Sequence, residues 1–199
     1  MERTYIVAVG HAGAYKAAET IVEHEKELRS RYRSSFVDRM LEEARTILDA
    51  GAGTQAGKGA EAQAETCTDA QMETDTTART AAGNDVAAMH FMPGGYLGAL
   101  YDLAEEHKCG IRIRVKAIPI SQSTVEICEM YGMNPYQLPA FARIVLTQDP
   151  QRTIEEMDPQ QREMAACIGY LTGGHDKVIV DKTNIEYINK VRLGPKSVQ

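Results

Sequence analysis

Basic residues are in the minority in this chain, where 22 Lys and Arg stand against 28 Asp and Glu and the net charge is −6. A nucleic-acid binder needs a basic face that neutralises phosphates, and an anionic membrane surface makes the same demand. No apolar run reaches the ~18 residues of a membrane span, and no secretory signal pattern opens the chain. We therefore expect a cytoplasmic protein with neither a nucleic-acid nor a membrane partner.

The sequence also lacks the common metal and nucleophile motifs. Its four cysteines form no CxxC pair and lie far apart, at Cys67, Cys109, Cys128 and Cys167. This spacing favours reduced thiols over a zinc or disulfide framework. No HxxxH pair with a carboxylate, calcium-binding loop, GxSxG elbow, Walker loop or GxGxxG is present. The residues themselves assign no metal ligand, no catalytic residue and no cofactor.

Hydrophobic periodicity predicts a single α+β domain. The chain has 199 residues, of which 43% are hydrophobic, enough for one sizeable core. Strands are predicted at 4–9, 85–89, 111–117, 141–147, 167–172 and 177–181, the last two as a hairpin around Gly173-Gly174. Helices are predicted at 15–31, after Ser35, from Leu97 to Gly110, from a capping box at Ser123 and Glu126 to Gly132, and from Asp158 to about Ala166. One further turn is predicted at Asn134-Pro135, with Pro at the first helical position. Their irregular alternation favours a mixed β-sheet layered with helices over a doubly wound parallel sheet.

One segment differs from the rest in composition. Residues 51–83 hold no Val, Ile, Leu, Phe, Tyr or Trp. Such a segment buries too little apolar surface to offset the entropy of ordering it, so we predict a disordered insert. A short Ala-rich helix around 60–72 is the alternative. The domain then comprises 1–50 and 84–193, followed by a flexible tail at 194–199.

The Pro93-Gly94-Gly95 turn is the first candidate site. Glycines let a phosphate approach the backbone, and the following helix presents free N–H groups and the positive end of its dipole. His90, just before the turn, could touch that phosphate or donate a proton. Both features also have an ordinary structural explanation, as a tight turn before a helix and a half-buried histidine. Spacing alone does not separate these alternatives.

The stretch from 86 to 146 resembles a known domain. The matching residues are Met89-His90, Gly94-Gly95, Gly98 to Leu100, Leu103 to Glu105, Ile118 to Ile120, Gln122, Thr124 to Glu129 and Asn134 to Tyr136. In this order they resemble the C-terminal domain of AIR synthase, selenophosphate synthetase, thiamine-monophosphate kinase and a hydrogenase maturation protein. The closest resemblance is to the AIR synthase-related hydrogenase maturation factors. It covers roughly residues 4–49 and 84–190, with the low-complexity stretch as an insertion.

This resemblance implies a three-layered α/β/α domain and two possible functions. The family's N-terminal half, with most of its metal- and ATP-binding aspartates, has no counterpart here, and Phe91-Met92-Pro93 replaces the acidic residues before the glycines. We therefore expect a stand-alone, non-catalytic binding domain linked to hydrogenase-maturation-type proteins. Its partner would be a second copy or a separate N-terminal-half protein, bound through an exposed apolar surface at 90–96 that includes Phe91 and Met92.

The alternative is the C-terminal half of a split ATP-dependent maturation or ligase-like enzyme. In that case Gly94, Gly95 and His90 would contact a phosphate of ATP, with Mg²⁺, in complex with the N-terminal-half partner.

Overall fold

The computed structural model describes residues 3–56, 89–182 and 184–189. Its strands are β1 (Tyr5–Val9), β2 (His90–Met92), β3 (Gly110–Ile113), β4 (Ala140–Thr147), β5 (Ala165–Thr172), β6 (Lys177–Asp181) and β7 (Asn184–Tyr187). Its helices are α1 (Ala14–Glu23), α2 (Glu25–Arg31), α3 (Ser34–Ala56), α4 (Gly95–Glu106), α5 (Gln122–Tyr131), α6 (Pro150–Glu155) and α7 (Pro159–Glu163). No helix in these ranges is both long and apolar enough to cross a membrane.

The strands form one mixed sheet in the order β2-β4-β1-β5-β3-β6-β7. Five neighbouring pairs are antiparallel, and β3 and β6 run parallel to each other. The predicted α+β fold with a mixed, helix-layered sheet is therefore confirmed.

Strand β1 shows that both faces of the sheet are covered. Its residues Ile6, Val7, Ala8 and Val9 are all fully buried, although successive side chains of a strand point to opposite faces. Ile6 and Ala8 belong to the core cluster that contains Leu100 of α4. The side chains of Val7 and Val9 point to the other face. A second apolar cluster joins α1, α2, α3 and α5 through Ile21, Leu28, Met40 and Ile127.

Short local signals begin or end several elements where the sequence predicts. Gly132 closes α5 in the left-handed conformation, with φ 64°. The side chain of Asn134 accepts a hydrogen bond from the backbone N–H of Tyr136, which starts the predicted turn at Pro135. Asp158 likewise caps α7 by accepting from the backbone N–H of Gln161. The side chains of Asn134 and Asp158 accept hydrogen bonds from backbone N–H groups two or three residues away, and glycine favours the left-handed conformation. Local sequence therefore suffices to predict these features.

The predicted capping box of α5 is wrong. The N-cap is Ser121, whose hydroxyl accepts from the backbone N–H of Thr124. Ser123 is buried instead and donates a 2.6 Å hydrogen bond to Oε2 of Glu43 on α3. The hydrogen bond to Glu43, a residue distant in sequence, therefore replaces the helix cap that the local pattern predicts for Ser123.

Two helix predictions need correction near the N-terminus. The helix expected over 15–31 is two helices, interrupted at His24, where φ is −111°. The helix expected after Ser35 already begins at Ser34 and continues to Ala56, so residues 51–56 of the predicted insert are helical. Gly51 is buried, and a Cβ there would lie 2.6 Å from Cε2 of Phe141. The rest of the insert, with the alternative helix at 60–72, and the tail at 194–199 lie outside the described residues.

The strand predictions fail mainly in pairing. The two strands around Gly173-Gly174 form no hairpin, because β3 lies between β5 and β6. The strand expected over 111–117 ends at Ile113, and Val115–Ala117 is a 3₁₀ turn. Of the strand expected at 85–89, only Met89 is described, and the observed strand begins one residue later at His90.

Near the C-terminal end, helix α7 stops at Glu163, short of the predicted Ala166, because β5 begins at Ala165. Helix α6 and strand β7 were not predicted.

Candidate functional site

The Gly-Gly turn connects the edge strand β2 to helix α4. Gly94 has an ordinary φ of −91°, whereas Gly95 has φ 62°, in the left-handed region where glycine is favoured. Gly95, Tyr96 and Leu97 are all buried, so the first turn of α4 starts inside the protein.

The backbone of the Asn134–Leu138 segment closes one side of this turn. A Cβ on Gly95 would lie 2.6 Å from the carbonyl oxygen of Leu138 and 2.7 Å from that of Tyr136. Carbonyl oxygens are acceptors with partial negative charge, so this side of the turn repels an anion. The left-handed glycine is explained by close packing between two backbone segments.

A second loop, at residues 10–13, reaches the same place. The buried hydroxyl of Tyr96 donates a 2.8 Å hydrogen bond to the carbonyl oxygen of Gly10. Burial strongly raises the pKa of Tyr96, so the phenol keeps its proton and remains a donor. A Cβ on Gly13 would lie 2.7 Å from the carbonyl oxygen of Pro135. Three loops that are distant in sequence thus converge at the N-terminus of α4.

An aromatic cluster lies beside the turn at the edge of the sheet. Phe91 pairs with Phe141 across β2 and β4, and their ring centroids are 5.3 Å apart. Tyr15 of α1 packs edge-on against both rings, at 5.5 Å from Phe91 and 5.3 Å from Phe141. Phe91 remains 40% exposed. The cluster therefore holds one aromatic ring in a defined position at the surface.

Met92 does not share this exposure, so the predicted surface of Phe91 and Met92 is only half right. Met92 is 9% exposed and belongs to the core cluster under α4. Adjacent strand residues point to opposite sides, which places Phe91 outward when Met92 points inward.

His90 is exposed, and it pairs with Ala142 in the β2–β4 register. Within the described ranges, no group of three or more His, Cys, Asp or Glu side chains could hold a metal ion.

Polar residues of the 10–13 loop, α3 and α5 also interact across the fold. The pKa of His11 is lowered by burial, while the charge of Glu43 acts in the opposite direction. Glu43 also accepts the hydrogen bond from Ser123. Ser123 follows Glu43 by 80 positions, so no motif spacing could have revealed this contact.

The chain resembles known proteins in sequence over part of its length. A putative hydrogenase expression/formation protein of Methanocaldococcus jannaschii is 32% identical over 92 residues, which cover 44% of this chain and 28% of that protein. No protein-family model matches the chain.

The fold matches solved hydrogenase maturation proteins. E. coli HypE has a TM-score of 0.57 at 12% identity, over 99% of this chain and 52% of HypE. A chain of a HypE–HypF complex matches with a TM-score of 0.54 at 13% identity, over 94% of this chain and 52% of that chain. HypE in complex with ATP has a TM-score of 0.53 at 12% identity, over 95% of this chain and 51% of that HypE chain.

These matches show that the chain has the fold of about half of HypE. The predicted resemblance to hydrogenase maturation factors is thereby confirmed. The chain spans about half the length of HypE and 28% of the curated relative, so their whole-protein activities are not carried over to it.

Proposed function

We propose that this chain is a binding module of a hydrogenase-maturation-type protein and that it docks a protein partner through the surface around Phe91. The observation that carries the proposal is a 40% exposed phenylalanine held in an aromatic cluster on the edge strand of the sheet. Catalysis is not part of the proposed role.

The physical case rests on a pre-ordered aromatic ring. Tyr15 and Phe141 fix the ring of Phe91, so little side-chain entropy remains to be lost when a partner covers it. Aromatic residues are enriched in the cores of protein interfaces. Among the described strands β2 lies at the end of the sheet, and its outer edge can offer backbone N–H and C=O groups to an added strand.

The relatives support a protein partner. HypE has been solved in complex with HypF, and the chain described here has the HypE fold over about half of that protein's length. We propose another maturation protein as the partner. Self-association through the same surface is the second possible form of the interface.

The test compares the parent chain with Phe91→Asp by light scattering and by co-purification with candidate maturation proteins. We expect the parent to form a complex that the charge at Phe91 abolishes. Val22→Asp is the matched control, because Val22 is 44% exposed and lies on α1. A parent that stays monomeric and recovers no partner, or a complex that survives Phe91→Asp, would contradict the proposal. Met92 is unsuitable for this test, since a buried charge would unfold the domain.

A nucleotide-phosphate site at the Gly-Gly turn is the second candidate function. It is favoured by the N-terminus of the twelve-residue helix α4 and by the exposed His90 nearby. HypE has also been solved with ATP. Calorimetric titration with ATP and Mg²⁺ tests this function in the parent, His90→Ala and Gly94→Ala chains. Saturable binding that both substitutions weaken would favour it, and ATP hydrolysis lost with His90 would overturn the non-catalytic role.

A further inference from the structure

A cavity of about 300 Å³ lies on the sheet, lined by residues in or beside β1, β3, β5 and β6. The side chains that matter are three arginines, two tyrosines and a thiol: Arg3, Arg112, Arg114, Tyr5, Tyr170 and Cys167.

Strand alternation places this cavity on the sheet face opposite α4. Ile111 and Ile113 are buried in the core cluster with Leu100 of α4. Arg112 and Arg114 alternate with them and therefore point to the other face. Phe91 lies on the edge strand β2, and β4 separates that strand from β1, β5 and β3, so the cavity is distinct from the surface proposed for partner binding.

The pairing register assembles the site from three strands. Tyr170 on β5 lies opposite Arg112 on β3, and on its other side it lies opposite Tyr5 on β1. The guanidinium carbon of Arg3 is 4.4 Å from the centroid of the Tyr170 ring. This stacking holds the cation at the rim of the cavity without using its N–H donors.

The arginines keep donors available for a ligand. Among the described residues, the ion pairs use Arg29, Arg31 and Arg152 but none of the three cavity arginines. Arg114 makes only a long hydrogen bond, 3.5 Å to the carbonyl oxygen of Cys167. Like charges gathered in one cavity repel each other unless an anion offsets them, and the chain as a whole is acidic, at −6.

We propose that this cavity binds a small phosphate-bearing anion. A guanidinium group presents N–H donors in a planar fork that matches phosphate oxygens, and several arginines together can hold one phosphate. The concave shape and the volume, at the lower end of the ~300–1000 Å³ found for ligand pockets, favour a small molecule over a flat acidic protein surface.

Calorimetric titrations with inorganic phosphate, AMP and adenosine test the proposal. We expect phosphate and AMP to bind and adenosine, which has no phosphate, not to bind. Binding of AMP above that of phosphate would place the nucleoside against the tyrosines, and equal binding would identify phosphate alone as the recognised group. Adenosine binding as tightly as AMP, or no binding of either anion, would overturn the proposal. Binding of an acidic protein without binding of phosphate or AMP would also overturn it.

Variants locate the binding. Arg112→Gln and Arg114→Gln should each weaken AMP binding about tenfold or more, because each removes charged hydrogen bonds. Both side chains are exposed, so the variants should fold. Arg31→Gln, on α2, is the charge-matched control, and His90→Ala tests whether the Gly-Gly turn is involved. Unchanged affinity in both cavity variants, or a loss in either control, would assign the anion to another site.

Discussion

The hydroxyl of Tyr96, in the first turn of α4, lies 2.8 Å from the carbonyl oxygen of Gly10, which follows β1 and is 86 positions earlier in the chain. Both ends of this hydrogen bond are buried. It fixes the candidate turn to the end of β1, an interior strand of the sheet, and so determines where the N-terminus of α4 lies.

Replacing Tyr96 with Phe should lower the free energy of unfolding by about 1–3 kcal/mol, because the Gly10 carbonyl would be left buried without its donor. Denaturant unfolding measures the change. Tyr187→Phe is the control, since Tyr187 is 67% exposed on β7 and its loss of a hydroxyl should cost almost nothing. If both variants were as stable as the parent, the Tyr96 bond would contribute nothing in solution.

Alanine substitutions at two left-handed glycines distinguish the free-energy cost of backbone strain from that of a steric clash. Gly95 and Gly132 have φ of 62° and 64°, but a Cβ at Gly132 meets nothing within 4 Å. Gly132→Ala should therefore cost about 1–2 kcal/mol of strain alone. Gly95→Ala should cost clearly more, because its Cβ meets two carbonyl oxygens. Equal losses in thermal unfolding would contradict the close packing of the Gly-Gly turn.

His11 should make stability fall in mild acid. Burial lowers its folded-state pKa below the ordinary 6.5, with the charge of Glu43 opposing the shift. As pH falls below about 6.5, the unfolded chain takes up a proton that the folded chain resists, so stability is lost down to the folded pKa. His11→Gln should flatten this part of the stability–pH curve. Equal slopes in the parent and His11→Gln chains would exclude His11 as the cause.

The boundary of the low-complexity segment can be tested by loop replacement. Exchanging 57–83 for a short Gly-Ser linker should leave the melting temperature within a few degrees, because each doubling of loop length costs only ~0.6 kcal/mol. Exchanging 51–83 should lower it further, since Gly51 packs against Phe141 and Tyr15. Circular dichroism melts of the two variants provide the comparison. A large loss in the shorter replacement would show that 57–83 contributes to the core.

Local sequence was enough for features that depend on near neighbours. The apolar runs of β1 and β4 predict strands because each residue type favours that backbone and burial. Gly132, Asn134 and Asp158 act on backbone within a few positions, and the structure confirms all three. The quoted motifs around Gly94 and Gly95 likewise predicted the resemblance to hydrogenase maturation proteins before any tertiary information.

Tertiary structure alone decided which strands pair, which residues are buried and which distant residues meet in the cavity. Strand β3 lies between β5 and β6, antiparallel to β5 and parallel to β6, so the expected hairpin does not form. Ser123 does not cap α5 but donates a hydrogen bond to Glu43. Met92 is buried in the core, whereas the neighbouring Phe91 remains exposed. The cavity arginines meet only because Tyr5, Tyr170 and Arg112 fall in one row across three strands. These outcomes depend on contacts between residues tens of positions apart, whose free energy is set by which surfaces meet and which no local pattern records.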